Sequence, residues 1–220
     1  MTHVLKVLAL AAVGTSLATL ALAADMPMVD QPMMAAASTD WDGFYAGFNL
    51  GYASGDSDHI GYAVGDMGIV GWLLGGQVGV NKTLSNGIVV GMQGDLDWAN
   101  ITGTYTPFPS VTQTINWEGS VTGHLGFDAG AFMPYLLAGV AFANGDRTSN
   151  DIGPTTENGT HFGYTVGVGA AAKINDMVSI FGEARYNNFG EHTYATLPNP
   201  VPGGPIVGLT STEVRVGLNF

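Results

Sequence analysis

Alternation of apolar residues with small or polar ones, at a period of two, restricts the fold of this chain more than any other feature. In the first segment Phe44, Ala46 and Phe48 alternate with Tyr45 and Gly47. Similar alternation marks eight segments in all: 44–52, 72–81, 90–98, 117–127, 135–142, 162–169, 178–187 and 213–220. This period is typical of a β-strand with one apolar face. Segments of about ten residues also have the length that a tilted strand needs to cross a bilayer.

The connections between these segments alternate between short and long. Three connections are tight and contain turn residues such as Asn86-Gly87: 82–87, 128–131 and 174–176. Four connections are long and are either polar or rich in Pro and Gly: 54–68, 99–115, 145–159 and 189–209. Short turns on one side and long loops on the other are typical of membrane barrels. We therefore expect an all-β fold: an eight-stranded antiparallel transmembrane β-barrel with short periplasmic turns and four long surface loops.

The composition excludes several classes of protein. The 220 residues include 33 Gly and no Cys, and only 11% of them are charged, against about 25% in an average protein. Six Lys and Arg against 18 Asp and Glu give a net charge of −12, which argues against a nucleic-acid partner. The absence of Cys from the sequence excludes disulfides and thiolate metal sites.

The first residues resemble a targeting segment. A short positive stretch ending at Lys6 precedes an apolar run, and Ala21-Leu22-Ala23 matches a cleavage site. An uncleaved membrane anchor is the alternative, but Gly14, Thr15 and Ser16 shorten the apolar run. We expect a signal peptide at 1–23, a flexible periplasmic segment at 24–42 and the barrel at 43–220.

A soluble eight-stranded barrel would show the same alternation. The residues on the polar face distinguish a soluble barrel from a transmembrane one. Charged residues on that face are interleaved with small glycines, as expected for a filled lumen rather than a Lys-rich outer surface. We predict a lumen charge network of Asp95, Asp97, Glu118, Lys173, Glu183, Arg185, Glu213 and Arg215.

Aromatic residues on the apolar face fall at the long-loop ends of seven strands. Such residues form girdles at membrane–water interfaces, and the predicted girdle contains Tyr52, Trp72, Trp98, Trp117, Phe142, Tyr164 and Tyr186. Trp41 is expected at the opposite interface, and the chain stops on an apolar-face aromatic, Phe220.

Charge predicts the register of the last hairpin. If Glu183 faces Arg215, then Arg185 faces Glu213, and both pairs have opposite sign. In a narrow lumen such pairs would form charge-assisted contacts. The alternative is that each charge faces lumen water.

Several motifs resemble one family in chain order: Trp41-Asp-Gly-Phe-Tyr-Ala-Gly, Gly182-Glu-Ala-Arg-Tyr-Asn-Asn-Phe-Gly and Val214-Arg-Val-Gly-Leu-Asn-Phe. They resemble the small outer-membrane β-barrel proteins of alphaproteobacteria, known as porin-family, surface-antigen or hemin-binding proteins and related to the OmpA-type membrane domain. The resemblance implies insertion into the bacterial outer membrane by the barrel assembly machinery, which would recognise Phe220. This chain departs from the family at Thr122, His124 and Asn219, where the family has basic residues. The loss of these positive charges argues against an anion-binding role.

Few residues suggest chemistry beyond this. No pair of the five His has the spacing of metal ligands, so no metal site is expected. His124 and His161 are expected to face the lumen. By analogy with the family, His59 or His192 on the loops could bind hemin. Asp95, Asp97 and Glu118 could imitate an acid–base set, but lumen-lining carboxylates are the commoner case.

We therefore expect no catalytic activity and no obligate cofactor. The leading hypothesis is a structural, surface-exposed outer-membrane barrel that contacts membrane lipid and lipopolysaccharide, supports envelope integrity and interacts through its loops. Loop acids such as Asp56 and Asp146 could bind divalent cations that bridge to lipopolysaccharide, or could simply be solvated. The alternative functions are a narrow cation-preferring pore and a heme-binding receptor.

Overall fold

The computed structural model describes residues 41–60, 67–105, 110–150, 154–194 and 206–220, all within the compact unit Ala37–Phe220. Eight strands account for almost all of them: β1 Gly43–Ile60, β2 Met67–Thr83, β3 Ile88–Tyr105, β4 Val111–Phe127, β5 Phe132–Ser149, β6 Thr155–Lys173, β7 Ser179–Thr193 and β8 Ile206–Asn219. The predicted signal peptide, residues 1–23, and nearly all of the predicted periplasmic segment lie outside the described residues. No helix in the described ranges is long and apolar enough to cross a membrane.

The strands form one closed antiparallel barrel in chain order, and β8 pairs with β1. At this seam Gly47 lies opposite Asn219. The Phe220 N–H donates to the Ala46 carbonyl at 2.8 Å, and the Ala46 N–H donates to the Phe220 carbonyl at 3.1 Å. The predicted eight-stranded fold is confirmed, with the last residue hydrogen-bonded into the seam.

The two faces of the barrel are inverted relative to a soluble barrel. Large apolar side chains such as Phe44, Leu74 and Val140 are exposed on the outside, whereas polar and charged side chains such as Asp97 and Arg215 are buried inside. Covering the outside of such a barrel with hydrocarbon satisfies the apolar side chains, and the inward face satisfies the polar ones. The arrangement therefore favours the membrane barrel over the soluble alternative.

The strands at the long-loop end are longer than predicted, which corrects the expected loop lengths. Between β3 and β4, for example, only residues 106–110 separate the strands, instead of the predicted loop 99–115. Thr hydroxyls pair across strands in the added portion, as at Thr104 and Thr112, 3.3 Å apart, and at Thr148 and Thr156, 2.8 Å apart. Apolar alternation does not mark these residues because a strand above the membrane needs no apolar outer face.

The lumen is layered, and its middle layer is the charged interior that alternation predicts. A buried apolar cluster at the short-turn end contains Trp41, Val89, Met133, Tyr135, Leu137, Ala171 and Phe181. A second cluster, the outer apolar layer, lies at the long-loop end and contains Ala53, Met67, Ile69, Leu73, Ala99, Ile101, Ile115, Ala141, Ala143, Phe189 and Leu209. The ion pairs of Arg185 and Arg215 lie between them.

Trp41 does not lie at a membrane interface, so the expectation for this residue is wrong. Its side chain is buried in the short-turn end of the barrel, and the indole N–H donates to the Gly130 carbonyl at 3.0 Å. Gly43 follows with φ of 124°, a left-handed conformation that glycine adopts without strain. The chain thus turns at Gly43, and Trp41 covers the end of the barrel.

Candidate functional site

Arg215, on β8, is the centre of the charged middle layer. Its guanidinium contacts four carboxylates: Asp97 at 2.7 Å, Glu118 and Glu213 at 2.8 Å, and Asp95 at 3.4 Å. All five side chains are buried. Because Asp95 and Asp97 come from β3 and Glu118 from β4, one side chain links three strands across the interior.

Arg185, on β7, forms the second half of the network. It contacts Glu183 at 2.7 Å and Asp95 at 2.8 Å, and it donates to the Ser120 hydroxyl at 3.1 Å. Asp95 therefore lies between Arg185 and Arg215 and joins the two halves.

Neutral donors satisfy some of the remaining carboxylate oxygens. The Tyr135 hydroxyl donates to Glu183 at 2.7 Å, the Ser211 hydroxyl donates to Glu213 at 2.9 Å, and Asn187 also donates to Glu213. Charge-assisted hydrogen bonds of this kind are stronger than neutral ones. They hold the carboxylates in fixed positions around the two guanidiniums.

The predicted register of the last hairpin is confirmed, but the charge contacts differ from those expected. Glu183 lies opposite Arg215, and Arg185 lies opposite Glu213. In the structure each Arg instead contacts the Glu two residues earlier on its own strand and carboxylates across the lumen. The guanidiniums point across the interior because the carboxylates of β3 and β4 are there.

Glycines make room for the network at defined positions. A Cβ at Gly75 would collide with the Asp97 carboxylate, and one at Gly51 would stand 3.0 Å from Arg215 Cγ. The high glycine content thus has a local purpose in the lumen, where long charged side chains occupy the space that larger residues would fill.

Lys173, which the sequence placed in the same network, lies elsewhere. Its ammonium is 5.0 Å from the centroid of the Trp41 ring, at the short-turn end. There it lines a cavity of about 130 Å³ together with Tyr45, Gln93 and His124. The structure therefore brings together seven of the eight predicted lumen charges: five carboxylates and two guanidiniums.

The seven residues predicted as an aromatic girdle lie on the outer face. Phe142 is half-buried, whereas the other six are exposed. Neighbouring members meet across strands: Tyr52 lies opposite Trp72, Trp98 lies opposite Trp117, and the Trp117 and Phe142 ring centroids are 5.7 Å apart. They form a band near the middle of the strands, which corrects the predicted position at the strand ends, because the strands continue for five to nine residues beyond the band on the long-loop side.

Sequence reasoning missed a cluster above the outer apolar layer. His161 and His192 lie side by side with Tyr194, although their spacing in the sequence gives no sign of it. His124 and His161 are both buried in the lumen, as predicted. The described residues contain no group of three His, Cys, Asp or Glu side chains that could hold a metal ion.

Comparison with known proteins agrees with this architecture. Residues 15–220 match the family model described as the outer membrane protein beta-barrel domain. The 31 kDa outer-membrane immunogenic protein of Brucella melitensis is 28% identical over 98% of this chain and 99% of its own length. The 22 kDa outer membrane protein of Rhizobium leguminosarum bv. viciae is 33% identical over 70% of this chain and 67% of its own length.

Solved structures of small outer-membrane proteins also align. The crystal structure of Neisserial surface protein A aligns with 80% of this chain and 95% of its own, with a TM-score of 0.48 and 16% identity. The family match, the relatives and the lipid-facing apolar exterior locate the protein in the bacterial outer membrane, as a surface-exposed structural barrel. The chain belongs to the outer membrane protein beta-barrel domain family.

Proposed function

We propose that the protein is a non-conducting, non-enzymatic barrel with a sealed lumen. It functions through its two exposed surfaces, the lipid-facing wall and the loops. The network around Arg215 carries this proposal, because one buried guanidinium holds carboxylates from β3, β4 and β8 across the lumen. Eight-stranded barrels have an interior that side chains can fill. A hydrated ion would have to break several of these contacts to pass.

Planar-bilayer conductance tests the sealed lumen. The refolded full chain should give no ohmic steps, while a large porin reconstituted in parallel shows that the assay detects a pore. Cation-selective steps from the protein at neutral pH would contradict the proposal and favour the narrow cation-preferring pore.

The aromatic band is proposed to set the depth of the barrel at the outer interface and to contact lipopolysaccharide. Trp98 and Trp72 expose large amphipathic rings where the apolar wall ends, and such rings favour the interface. In lipopolysaccharide vesicles, bromine-labelled acyl chains should quench the tryptophan fluorescence less when the label is at the bilayer centre than when it is near the headgroup. Equal quenching at both depths would contradict the girdle.

Export and assembly are proposed to use the two ends of the chain: cleavage after a signal peptide at 1–23, and recognition of Phe220 by the barrel assembly machinery. The hydrogen bonds of Phe220 to Ala46 support a role at the closing seam. Phe220→Ser should lower the amount of folded protein in the outer membrane, whereas Phe127→Ser, an exposed aromatic at the end of β4, serves as the control. Equal losses in both variants would contradict recognition of the last residue.

The loops are proposed to be accessible to antibodies. The names of the Brucella relatives, which describe them as outer-membrane immunogenic proteins, support this proposal. Antibodies raised against the folded barrel should label intact cells. Labelling that appears only after the outer membrane is broken would contradict exposure of the loops.

A further inference from the structure

A β-bulge in β7 changes which residues of that strand face the interior. Near it the β7–β8 register shifts between Asn188 and Glu191, and Gly190 adopts a φ of 69°. Strict alternation from Arg185 would place His192 on the outer face. After the bulge its ring lies beside His161 of β6, with 5.4 Å between the ring centroids.

Tyr194 completes the group, because it follows His192 by two residues and shares its face. Its side chain is 0% exposed, and its hydroxyl oxygen lies 3.1 Å from Nε2 of His161. Its ring centroid is 5.0 Å from that of His192. Two imidazoles and one phenol oxygen thus meet above the outer apolar layer.

These separations suit a single metal ion. Two donor atoms that each lie about 2.0 Å from one metal ion, with a donor–metal–donor angle near 100°, are about 3.1 Å apart. His161 Nε2 and the Tyr194 oxygen have this separation. Two imidazoles that bind one ion at tetrahedral angles have ring centroids about 5 Å apart, close to the separation of His161 and His192.

We propose that His161, His192 and Tyr194 form a binding site for a divalent transition-metal ion at the long-loop end of the barrel. Imidazole nitrogens suit Zn²⁺ and Cu²⁺, and Cu²⁺ binds most tightly in the usual order of affinity. On binding, the metal–oxygen bond replaces the hydrogen bond between Tyr194 and His161. The phenol proton leaves to solvent, so one proton is released for each ion bound through the phenolate.

The surrounding charges allow this exchange of a proton for a metal ion. Burial raises the pKa of Tyr194, so the free protein keeps the phenol protonated. The Arg147 guanidinium, 5.8 Å from the ring centroid, favours the phenolate, whereas Glu157 and Asp146 disfavour it and attract a cation. His192 is half-buried and gives an ion access from the loop side.

Titration of untagged, refolded full-length protein with CuCl₂ tests the site. We expect one tight equivalent, a phenolate-to-copper charge-transfer band and release of one proton. His192→Gln should weaken binding at least tenfold, and Tyr194→Phe should abolish the charge-transfer band and the proton release. His124→Gln, which changes the lumen histidine at the other end of the barrel, should leave both signals unchanged.

His192→Gln is the decisive variant because His192 is half-buried and its replacement preserves size. Heat-modifiable migration on a gel shows whether each variant is folded, and His161→Gln is interpreted only in the folded fraction. Absence of a tight equivalent, or binding that is unchanged in folded His192→Gln, would overturn the proposal. An equal loss in His124→Gln would overturn it as well.

Discussion

The middle and outer layers of the lumen are closed by different forces within the same barrel. In the middle layer, Arg185 and Arg215 hold five carboxylates through ion pairs. In the outer apolar layer, aliphatic side chains such as Leu73, Ile101 and Ile115 fill the interior with no ionisable group among them. One layer depends on charge compensation and the other on packing.

This difference predicts different responses to damage. Removing one partner of a buried ion pair leaves a charge without compensation, which destabilises by about 3–5 kcal/mol. Removing a buried aliphatic group leaves a cavity, whose effect depends on how far the neighbours can relax. The middle layer should therefore be the more sensitive to a single substitution.

Arg215→Met should have the largest effect, because four buried carboxylates lose a common partner. We expect the free energy of unfolding to fall by about 3–5 kcal/mol. Urea unfolding in vesicles, followed by heat-modifiable migration, measures it.

Lys82→Met is the matched control, since it removes one positive charge from a side chain that is 71% exposed. Adding Glu118→Gln to Arg215→Met should restore part of the lost stability, because the double variant removes one of the uncompensated carboxylates. If Arg215→Met is no more destabilising than Lys82→Met, the middle layer is not held by charge.

Ile101→Ala tests the outer apolar layer. Ile101 is 0% exposed within this cluster, and we expect a loss of about 3 kcal/mol from the cavity. Ile180→Ala is the control, because Ile180 is 47% exposed on the lipid-facing wall and lipid can fill the space. Equal losses in the two variants, by the same urea assay, would show that this layer does not work by packing.

The sequence was sufficient to predict the membrane-facing half of the fold. Period-two alternation identifies strands such as β1 and β8 because the lipid face must be apolar, and opposite charges predict the pairing of Glu183 with Arg215. It could not predict which side chains touch in the lumen. The contact of Arg215 with Glu118 joins β8 to β4 across the interior, and no spacing along the chain encodes it.

Two local features limited the prediction further. The bulge near Gly190 reverses the alternation in β7, so the face of His192 could not be read from its neighbours. Trp41 looks like an interfacial aromatic in sequence, but the turn at Gly43 directs it into the barrel end. In both cases the backbone departs from a regular strand at a glycine with positive φ.

Tyr135→Phe tests the boundary between a packed layer and the charged one. Tyr135 belongs to the apolar cluster at the short-turn end, and its hydroxyl donates to Glu183 at 2.7 Å. Loss of a hydrogen bond to a charged group should lower the free energy of unfolding by about 1.5–3 kcal/mol. Tyr164→Phe, on the exposed outer face, is the control. A loss as small as the control's would mean that Glu183 does not depend on this donor.

Asp42→Asn gives the smallest effect and contrasts an exposed ion pair with the buried network. The hydrogen bond from Lys82 and the backbone N–H of Thr83 lower the pKa of Asp42 from 3.8 to about 2. A carboxylate whose pKa is lowered by folding stabilises the protein above its unfolded pKa, and this contribution is lost as the pH falls through the folded value. The wild type should therefore have a higher urea midpoint than Asp42→Asn at pH 6, and the difference should shrink between pH 4 and pH 2.

Comparing the two proteins at each pH cancels the effect of protonating all other carboxylates. A difference that stays constant down to pH 2 would show that Asp42 acts through its shape and not its charge.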